Sequence, residues 1–116
     1  MLIQFCKSKI AHAVVTEAEL LYEGSVTIDA QLMKAVGIIS GERVEVLNIN
    51  NGNRFDTYAI AGKAGSGVIC LNGPAARLGV VGDRVIILSY AYMSPEEAKT
   101  AELQIIHVDA HNRIKK

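Results

Sequence analysis

A Gly-Ser bond near the start of the chain is the strongest candidate for a chemical reaction in this sequence. Gly24 and Ser25 follow Tyr22-Glu23, between two apolar, strand-like runs. A glycine-permitted turn can bring the serine hydroxyl against the preceding carbonyl carbon. Attack there converts the peptide bond to an ester, and elimination followed by hydrolysis leaves a pyruvoyl group, a ketone made from the chain itself. Gly-Ser is also a very common turn dipeptide, so an ordinary turn is the alternative interpretation.

A second set of candidate residues lies on a segment that alternates like a strand. Arg54, Asp56 and Tyr58 fall on one face, and Phe55 and Thr57 fall on the other. An arginine and a tyrosine so placed can hold a carboxylate beside a phenolic proton donor. The alternative is a cross-strand ion pair on a solvated face with a tyrosine at its rim, and this segment alone favours that alternative.

Two further segments are candidate anion sites. The loop Asn72-Gly73-Pro74-Ala75 leads from a strand into a short helix, where exposed amides suit a carboxylate or phosphate. A plain strand-to-helix connector is the alternative. Lys9 lies between aliphatic residues and either faces a charged ligand or keeps its ammonium in water. The histidines do not form a metal-ligand pattern, so no metal site is predicted: His12, His107 and His111.

Length and composition restrict the class of protein. A chain of 116 residues fits one domain, 1–116. Twelve basic and twelve acidic residues cancel, which argues against binding to nucleic acid or a membrane surface. Two cysteines without a signal-peptide pattern predict reduced thiols and a cytoplasmic protein, and no apolar run reaches membrane-spanning length.

Short β-branched runs dominate the chain and predict a small closed β-barrel with few helices. The predicted strands cover residues 2–5, 13–16, 26–28, 43–49, 54–61, 67–71 and 84–90. Asn50-Asn51-Gly52-Asn53 predicts a hairpin between the fourth and fifth of these strands.

Capping residues predict the few helices. Asp29 caps a helix over 30–36 that stops at Gly37, and Ser94 caps another that begins with Pro95. Thr16 followed by Glu19 has capping-box spacing and predicts one helical turn before Tyr22. The end of the chain, 111–116, is predicted to be a solvated, flexible tail.

Taken in order, these segments resemble the pyruvoyl-dependent aspartate 1-decarboxylase family. The shared landmarks occur at compatible spacing across almost the whole chain, and the ordered set is highly specific. They are Lys9-Ile10, Val15-Thr16, Tyr22-Glu23-Gly24-Ser25, Ile28-Asp29, Asn51-Gly52, Arg54-Phe55, Thr57-Tyr58, Asn72-Gly73, Ala75-Ala76 and Val81-Gly82-Asp83.

The resemblance implies a double-psi β-barrel that assembles as a homotetramer with active sites between neighbouring protomers. It implies self-cleavage after Gly24, which gives a β chain of 1–24 and an α chain of 25–116 that begins with a pyruvoyl group derived from Ser25. By the same resemblance, Thr57 assists processing by hydrogen-bonding the Gly24 carbonyl. Some relatives need an accessory maturation protein, so such a partner is a further expectation.

The implied reaction removes the α-carboxylate of L-aspartate and gives β-alanine and CO2 for pantothenate synthesis. The substrate amine would form a Schiff base with the ketone, which replaces pyridoxal phosphate as the electron sink, and no metal is needed. By resemblance, Lys9 and Arg54 hold substrate carboxylate, and Tyr58 donates the proton. The resemblance also implies a substrate-binding loop, to which Thr57 contributes, formed by Asn72 and the backbone of Gly73, Pro74 and Ala75.

The sequence departs from the family's pattern at two positions near these residues. Many relatives carry histidine where this chain has Ala11, and on a strand the neighbouring His12 faces the other way. Pro74 stands where relatives often have alanine. The rival interpretation from another class is a non-enzymic β-barrel binding module of the transcription-regulator type, which shares the strand content.

Overall fold

Eight strands and three short helices form the part of the chain that the computed structural model describes, residues 1–115. The strands are β1 (Ile3–Val14), β2 (Glu17–Glu19), β3 (Ser25–Asp29), β4 (Arg43–Asn48), β5 (Arg54–Gly62), β6 (Ile69–Asn72), β7 (Arg84–Met93) and β8 (Gln104–His107). The helices are α1 (Ala30–Val36), a 3₁₀ helix (Gly73–Arg77) and α2 (Pro95–Ala98).

The strands form one row in which β2 lies at one end and β1, which directly precedes it in the chain, lies near the other. Their order is β2-β6-β3-β5-β4-β7-β1-β8. Only Val15 and Thr16 separate β1 from β2 along the chain. The amide of Val15 donates to Asp83, directly before β7, and that of Thr16 donates to Ile69 of β6. Because one continuous segment pairs with β7 at one end and with β6 at the other, the sheet curls into a barrel and leaves few free edges.

The barrel interior is filled by aliphatic side chains, as the scarcity of aromatic residues requires. Alternation along β4 turns every second side chain inward, where it is buried, whereas β6 is buried throughout. The helix α1 closes one side with Leu32, Met33 and Val36. The strands contribute Ile10, Val26, Ile28, Val44, Val46, Ala59, Ile69, Leu71, Val85 and Ile87.

Strand β1 is longer than the two short strands predicted for it. It runs without interruption from Ile3 to Val14 and pairs with β7 and β8. Its register against β7 shifts between Cys6 and Ser8 and again between Ile10 and Ala13, so it contains two bulges. His12 lies in the second bulge with φ of +64° and is exposed. The bulges break the alternation, which is why the sequence pattern divides this strand.

The two capped helices and the hairpin are confirmed. Asp29 accepts a hydrogen bond from the backbone of Gln31 at the start of α1, and Gly37 ends the helix in the left-handed conformation. Ser94 forms a full capping box at α2. The hairpin joins β4 and β5 in antiparallel register.

The helical turn predicted from Thr16 to Glu19 is wrong. Glu17–Glu19 form strand β2, which pairs in parallel with β6. Thr16 Oγ1 accepts a hydrogen bond from the amide of Ile69 and donates one to its carbonyl. These contacts with a distant strand use the side chain that would otherwise cap a helix, so tertiary bonding overrides the local signal.

Asn112 anchors the segment from residue 111, whose other described residues, 111 and 113–115, are exposed. Asn112 is 1% exposed. Its side chain accepts a hydrogen bond from the amide of Val14 and donates two, to the carbonyl oxygens of Val14 and Gly67. A bridge between Val108 and Ile114 folds the segment back on itself. Lys116 lies outside the described residues.

Candidate active site

Ser25 begins β3 at the point where that strand meets the end of β6. The two strands are antiparallel, and Ser25 stands opposite Asn72. Ser25 is fully buried, whereas Gly24 directly before it is exposed. The Gly24–Ser25 bond therefore lies at the boundary between solvent and the packed sheet.

One side-chain amide connects the two strands at this point. Asn72 Nδ2 donates hydrogen bonds to Ser25 Oγ and to Thr27 Oγ1, each at 2.9 Å. Both donors of the amide are used, so its orientation toward Ser25 is fixed. A donor aimed at Oγ orients the hydroxyl and stabilises negative charge that develops there. Sequence reasoning missed Thr27, although its spacing of two from Ser25 puts both side chains on one strand face.

Gly73 holds the segment before Ser25 close to the 3₁₀ helix. Its φ is +66°, a left-handed conformation that favours glycine. A Cβ at Gly73 would lie 2.4 Å from the carbonyl oxygen of Tyr22 and 3.0 Å from the nitrogen of Gly24. Two stretches of backbone thus touch where only glycine fits. The sequence assigned the glycine-dependent turn to Gly24, but the residue with positive φ at this site is Gly73.

A surface cavity of about 330 Å³ opens beside this contact. Its volume is at the low end of the roughly 300–1,000 Å³ of small-molecule sites. Five predicted site residues meet there. Asp56 is the only charged residue in the lining, so residues 1–115 of one chain offer no cation to a carboxylate in this cavity. The lining residues are Gly24, Phe55, Asp56, Thr57, Tyr58, Pro74, Ala75 and Leu78.

Arg54 lies at the start of β5, outside this cavity, and lines a separate one of about 510 Å³. Its Nη2 is 3.3 Å from Glu45 Oε1, and its side chain is 62% exposed. The same Glu45 oxygen accepts a hydrogen bond from the hydroxyl of Tyr90 at 2.9 Å. Within one chain, the cross-strand ion pair that the sequence left as an alternative is present, with Glu45 as the partner of Arg54.

Lys9 is also separate from the cavity. It is half-buried in β1, opposite Leu88 of β7 and Ile105 of β8. Within residues 1–115 its ammonium forms no salt bridge. The structure therefore does not bring Lys9 and Arg54 to Ser25 within a single protomer.

The neighbouring Lys7 has a structural role at the end of α1. Its Nζ lies 2.9 Å from Glu42 Oε2 and 2.8 Å from the carbonyl oxygen of Gly37. Glu42 also accepts a hydrogen bond from the buried Ser89 hydroxyl. Burial raises the pKa of Glu42, but the hydrogen bonds from Ser89 and Lys7 outweigh it, so the pKa lies below its ordinary value.

Three observations restrict other kinds of site. Residues 1–115 contain no cluster of three or more His, Cys, Asp or Glu side chains that could hold a metal ion. In the same range, none of the helices has the length and apolar character needed to cross a membrane. Cys6 and Cys70 are free thiols.

Comparison with solved structures defines the class of barrel. The chain superposes on the computationally designed msDPBB_sym2 protein with a TM-score of 0.50 and 22% identity, over 66% of this chain and 96% of that one. The fold is a double-psi β-barrel, as the resemblance implied.

Comparison with known sequences defines the family. Residues 1–115 match the aspartate decarboxylase family, so the chain belongs to that family. It is 58% identical over 116 residues to an aspartate 1-decarboxylase of Caldicellulosiruptor saccharolyticus, covering all of this chain and 91% of the relative. It is 59% identical over 107 residues to an aspartate 1-decarboxylase of Thermoanaerobacter pseudethanolicus, covering 92% of each.

Proposed function

We propose that this chain cleaves itself after Gly24, converts Ser25 to a pyruvoyl group and uses that group to decarboxylate L-aspartate to β-alanine and CO2. The observation that carries the proposal is the match of residues 1–115 to the aspartate decarboxylase family, with Gly24 of the Gly-Ser bond in the lining of the cavity. The same match weighs against the non-enzymic binding module, which no contact in residues 1–115 favours.

Self-cleavage needs no reagent beyond water. Ser25 Oγ attacks the Gly24 carbonyl carbon, the bond to the Ser25 nitrogen breaks, and the hydroxyl proton ends on that nitrogen, which leaves an ester. Loss of the Ser25 α-proton expels the Gly24 carboxylate and leaves dehydroalanine. Water then replaces the nitrogen as ammonia and leaves the ketone. The products are the 1–24 β chain and the 25–116 α chain.

The surroundings of the Gly24–Ser25 bond fit this chemistry. Asn72 donates to Ser25 Oγ, which favours the charge that develops during attack. Thr57 lines the same cavity as Gly24 and is our candidate donor to the Gly24 carbonyl. Gly24 is exposed, so water can reach the bond from the Gly24 side.

The pyruvoyl ketone supplies the electron sink for decarboxylation. Tyr58, on the cavity wall, is the proposed proton donor to the product carbon. Asn72 and the backbone of Gly73, Pro74 and Ala75 form the proposed loop that orients the substrate. Gly73 brings this loop against the cleavage segment, which supports a shared role in processing and binding.

The substrate's carboxylates need cations that the cavity of one chain lacks. Lys9 and Arg54 are the proposed carboxylate ligands, and both lie away from Ser25 of their own chain. We therefore assign them to the cavity of a neighbouring copy, in a homotetramer whose sites lie between protomers. Arg54 suits the task because its planar fork binds two carboxylate oxygens.

The denatured intact mass of purified protein tests this function directly. We expect two fragments that divide after Gly24, the larger one carrying a ketone, together with release of β-alanine from aspartate. Ser25→Ala should leave a single inactive chain. An uncut native chain that stays uncut with cell extract, which would supply a maturation partner, contradicts the proposal, as does turnover by Ser25→Ala.

A further inference from the structure

The amide of Asn72 is held by a third side chain that the assigned site does not include. Cys70 Sγ donates a hydrogen bond to Asn72 Oδ1 at 3.2 Å. Cys70 is buried, and it stands opposite Thr27 in the β3–β6 register, as Asn72 stands opposite Ser25. Four side chains on one face of two strands therefore form a hydrogen-bond network with Asn72 at its centre: Ser25, Thr27, Cys70 and Asn72.

We infer that Cys70 and Thr27 are positioning residues for self-cleavage, because together they fix which end of the Asn72 amide faces Ser25. The inference rests on the proposed function. Cys70 can donate to the amide oxygen, and Thr27 accepts from the amide nitrogen. In a flipped amide the hydroxyls of Thr27 and Ser25 would donate to Oδ1, but the two N–H groups would face only the Cys70 sulfur, which is a weak acceptor.

The orientation of the amide matters for the attacking oxygen. In the observed orientation, Ser25 Oγ receives an N–H donor, which stabilises the negative charge that builds as its proton leaves. In the flipped orientation, Oγ would face the lone pairs of Asn72 Oδ1, which repel that charge and hold the hydroxyl proton in place. The network therefore favours the arrangement in which Ser25 can attack Gly24.

Cys70 remains a donor at neutral pH. Burial raises the pKa of its thiol, and the nearby carboxylates of Glu17 and Glu19 raise it further. A hydrogen bond of the thiol with Glu17 also raises the pKa, so the sulfur keeps its proton, for which Asn72 Oδ1 and the Glu17 carboxylate are both acceptors. The site uses this cysteine as a hydrogen-bond donor to Asn72, and Ser25 remains the nucleophile.

The rate of self-cleavage in matched variants tests the inference. Freshly purified uncut chain is followed by denatured intact mass, and the thermal unfolding midpoint is measured for each variant. We expect Cys70→Ala to slow cleavage about threefold, since a thiol is a weak donor. Thr27→Val should slow it about tenfold, since it leaves an amide N–H without an acceptor. Cys70→Ser keeps a donor and Thr27→Ser keeps an acceptor, so both variants should be cleaved at close to the native rate.

The outcomes separate this inference from the function on which it rests. A native chain that is never cleaved overturns both. A native chain that is cleaved, with Cys70→Ala and Thr27→Val cleaved at the native rate, overturns the positioning role alone. Two further outcomes would assign the residues to packing and overturn the positioning role. One is that the serine variants cleave as slowly as Cys70→Ala and Thr27→Val. The other is that the cleavage rate follows the unfolding midpoint across all four variants.

Discussion

The region around Ser25 and the region around Arg54 differ in how completely contacts within one chain fix their side chains. Ser25 is buried, its hydroxyl has a defined donor, and Gly73 fixes the backbone before it. Arg54 is exposed and is held by a single ion pair with Glu45. Exposed ion pairs contribute little to stability and exchange readily for another partner. We infer that groups acting within the chain are fixed by its own packing, whereas groups acting on a ligand are left available.

Tyr58→Phe should have the largest effect on turnover without affecting the cleavage region. General acid catalysis contributes about 10²–10⁴-fold, so kcat should fall by that factor while KM and self-cleavage stay near native. Steady-state kinetics on fully cleaved protein measures this. The control is Tyr92→Phe, an exposed tyrosine whose hydroxyl accepts from Gln4. Native kcat in Tyr58→Phe would mean that another group donates the proton.

Gly73→Ala should disrupt the region around Ser25 and leave the region around Arg54 unchanged. A Cβ 2.4 Å from the Tyr22 carbonyl oxygen forces the two backbones about 1 Å apart, and such a displacement costs on the order of a hundredfold in rate. Self-cleavage followed by intact mass should slow accordingly. Gly52→Ala is the matched control, because its φ is +77° and it has no atom within 4 Å of the added Cβ. Equal cleavage rates in the two variants would show that the contact between Gly73 and Tyr22 does not control cleavage.

Arg54→Ala should affect the exposed region alone. Hydrogen bonds to a charged group correspond to about tenfold to a hundredfold in binding, so KM for aspartate should rise by that factor with normal cleavage. Arg43→Ala is the matched control, since Arg43 forms the adjacent exposed ion pair, with Asp56. If both variants keep native KM, Arg54 does not bind the substrate.

Glu42→Gln should give the smallest effect, on stability and its pH dependence. Because folding lowers the pKa of Glu42, its contribution is fully present above the ordinary value of 4.5 and is lost as pH falls through the folded-state pKa. The native unfolding midpoint should therefore approach that of the variant as the pH falls progressively below 4.5. A constant difference between pH 7 and pH 3 would show that the charge of Glu42 is not responsible.

The sequence predicts local structure well where the responsible residues are neighbours. Asp29 and Gly37 define α1, and the Asn-Gly hairpin defines the β4–β5 pair. The same reasoning fails where a distant strand supplies the partner. Thr16 bonds to Ile69, which turns a predicted helical turn into β2, and bulges in β1 disguise a single long strand.

The candidate site shows the same difference between local and long-range contacts. The residues around Gly24 and Tyr58 meet in one cavity, but the bond from Asn72 to Ser25 joins positions that no local pattern relates. Thr27 and Cys70 become visible only once the register of β3 and β6 is known. The proposed role of Arg54 requires a second copy of the chain, so neither local pattern nor a single protomer predicts it.

Cleavage after Gly24 would change what holds the barrel together. Strands β1 and β2 would then belong to a separate 24-residue peptide, and β1 lies between β7 and β8 with partners on both sides. Asn112 of the longer fragment binds both backbone groups of Val14 in the shorter one. The mature protein would be a non-covalent complex of two chains, so its unfolding would release a peptide and its refolding would depend on protein concentration.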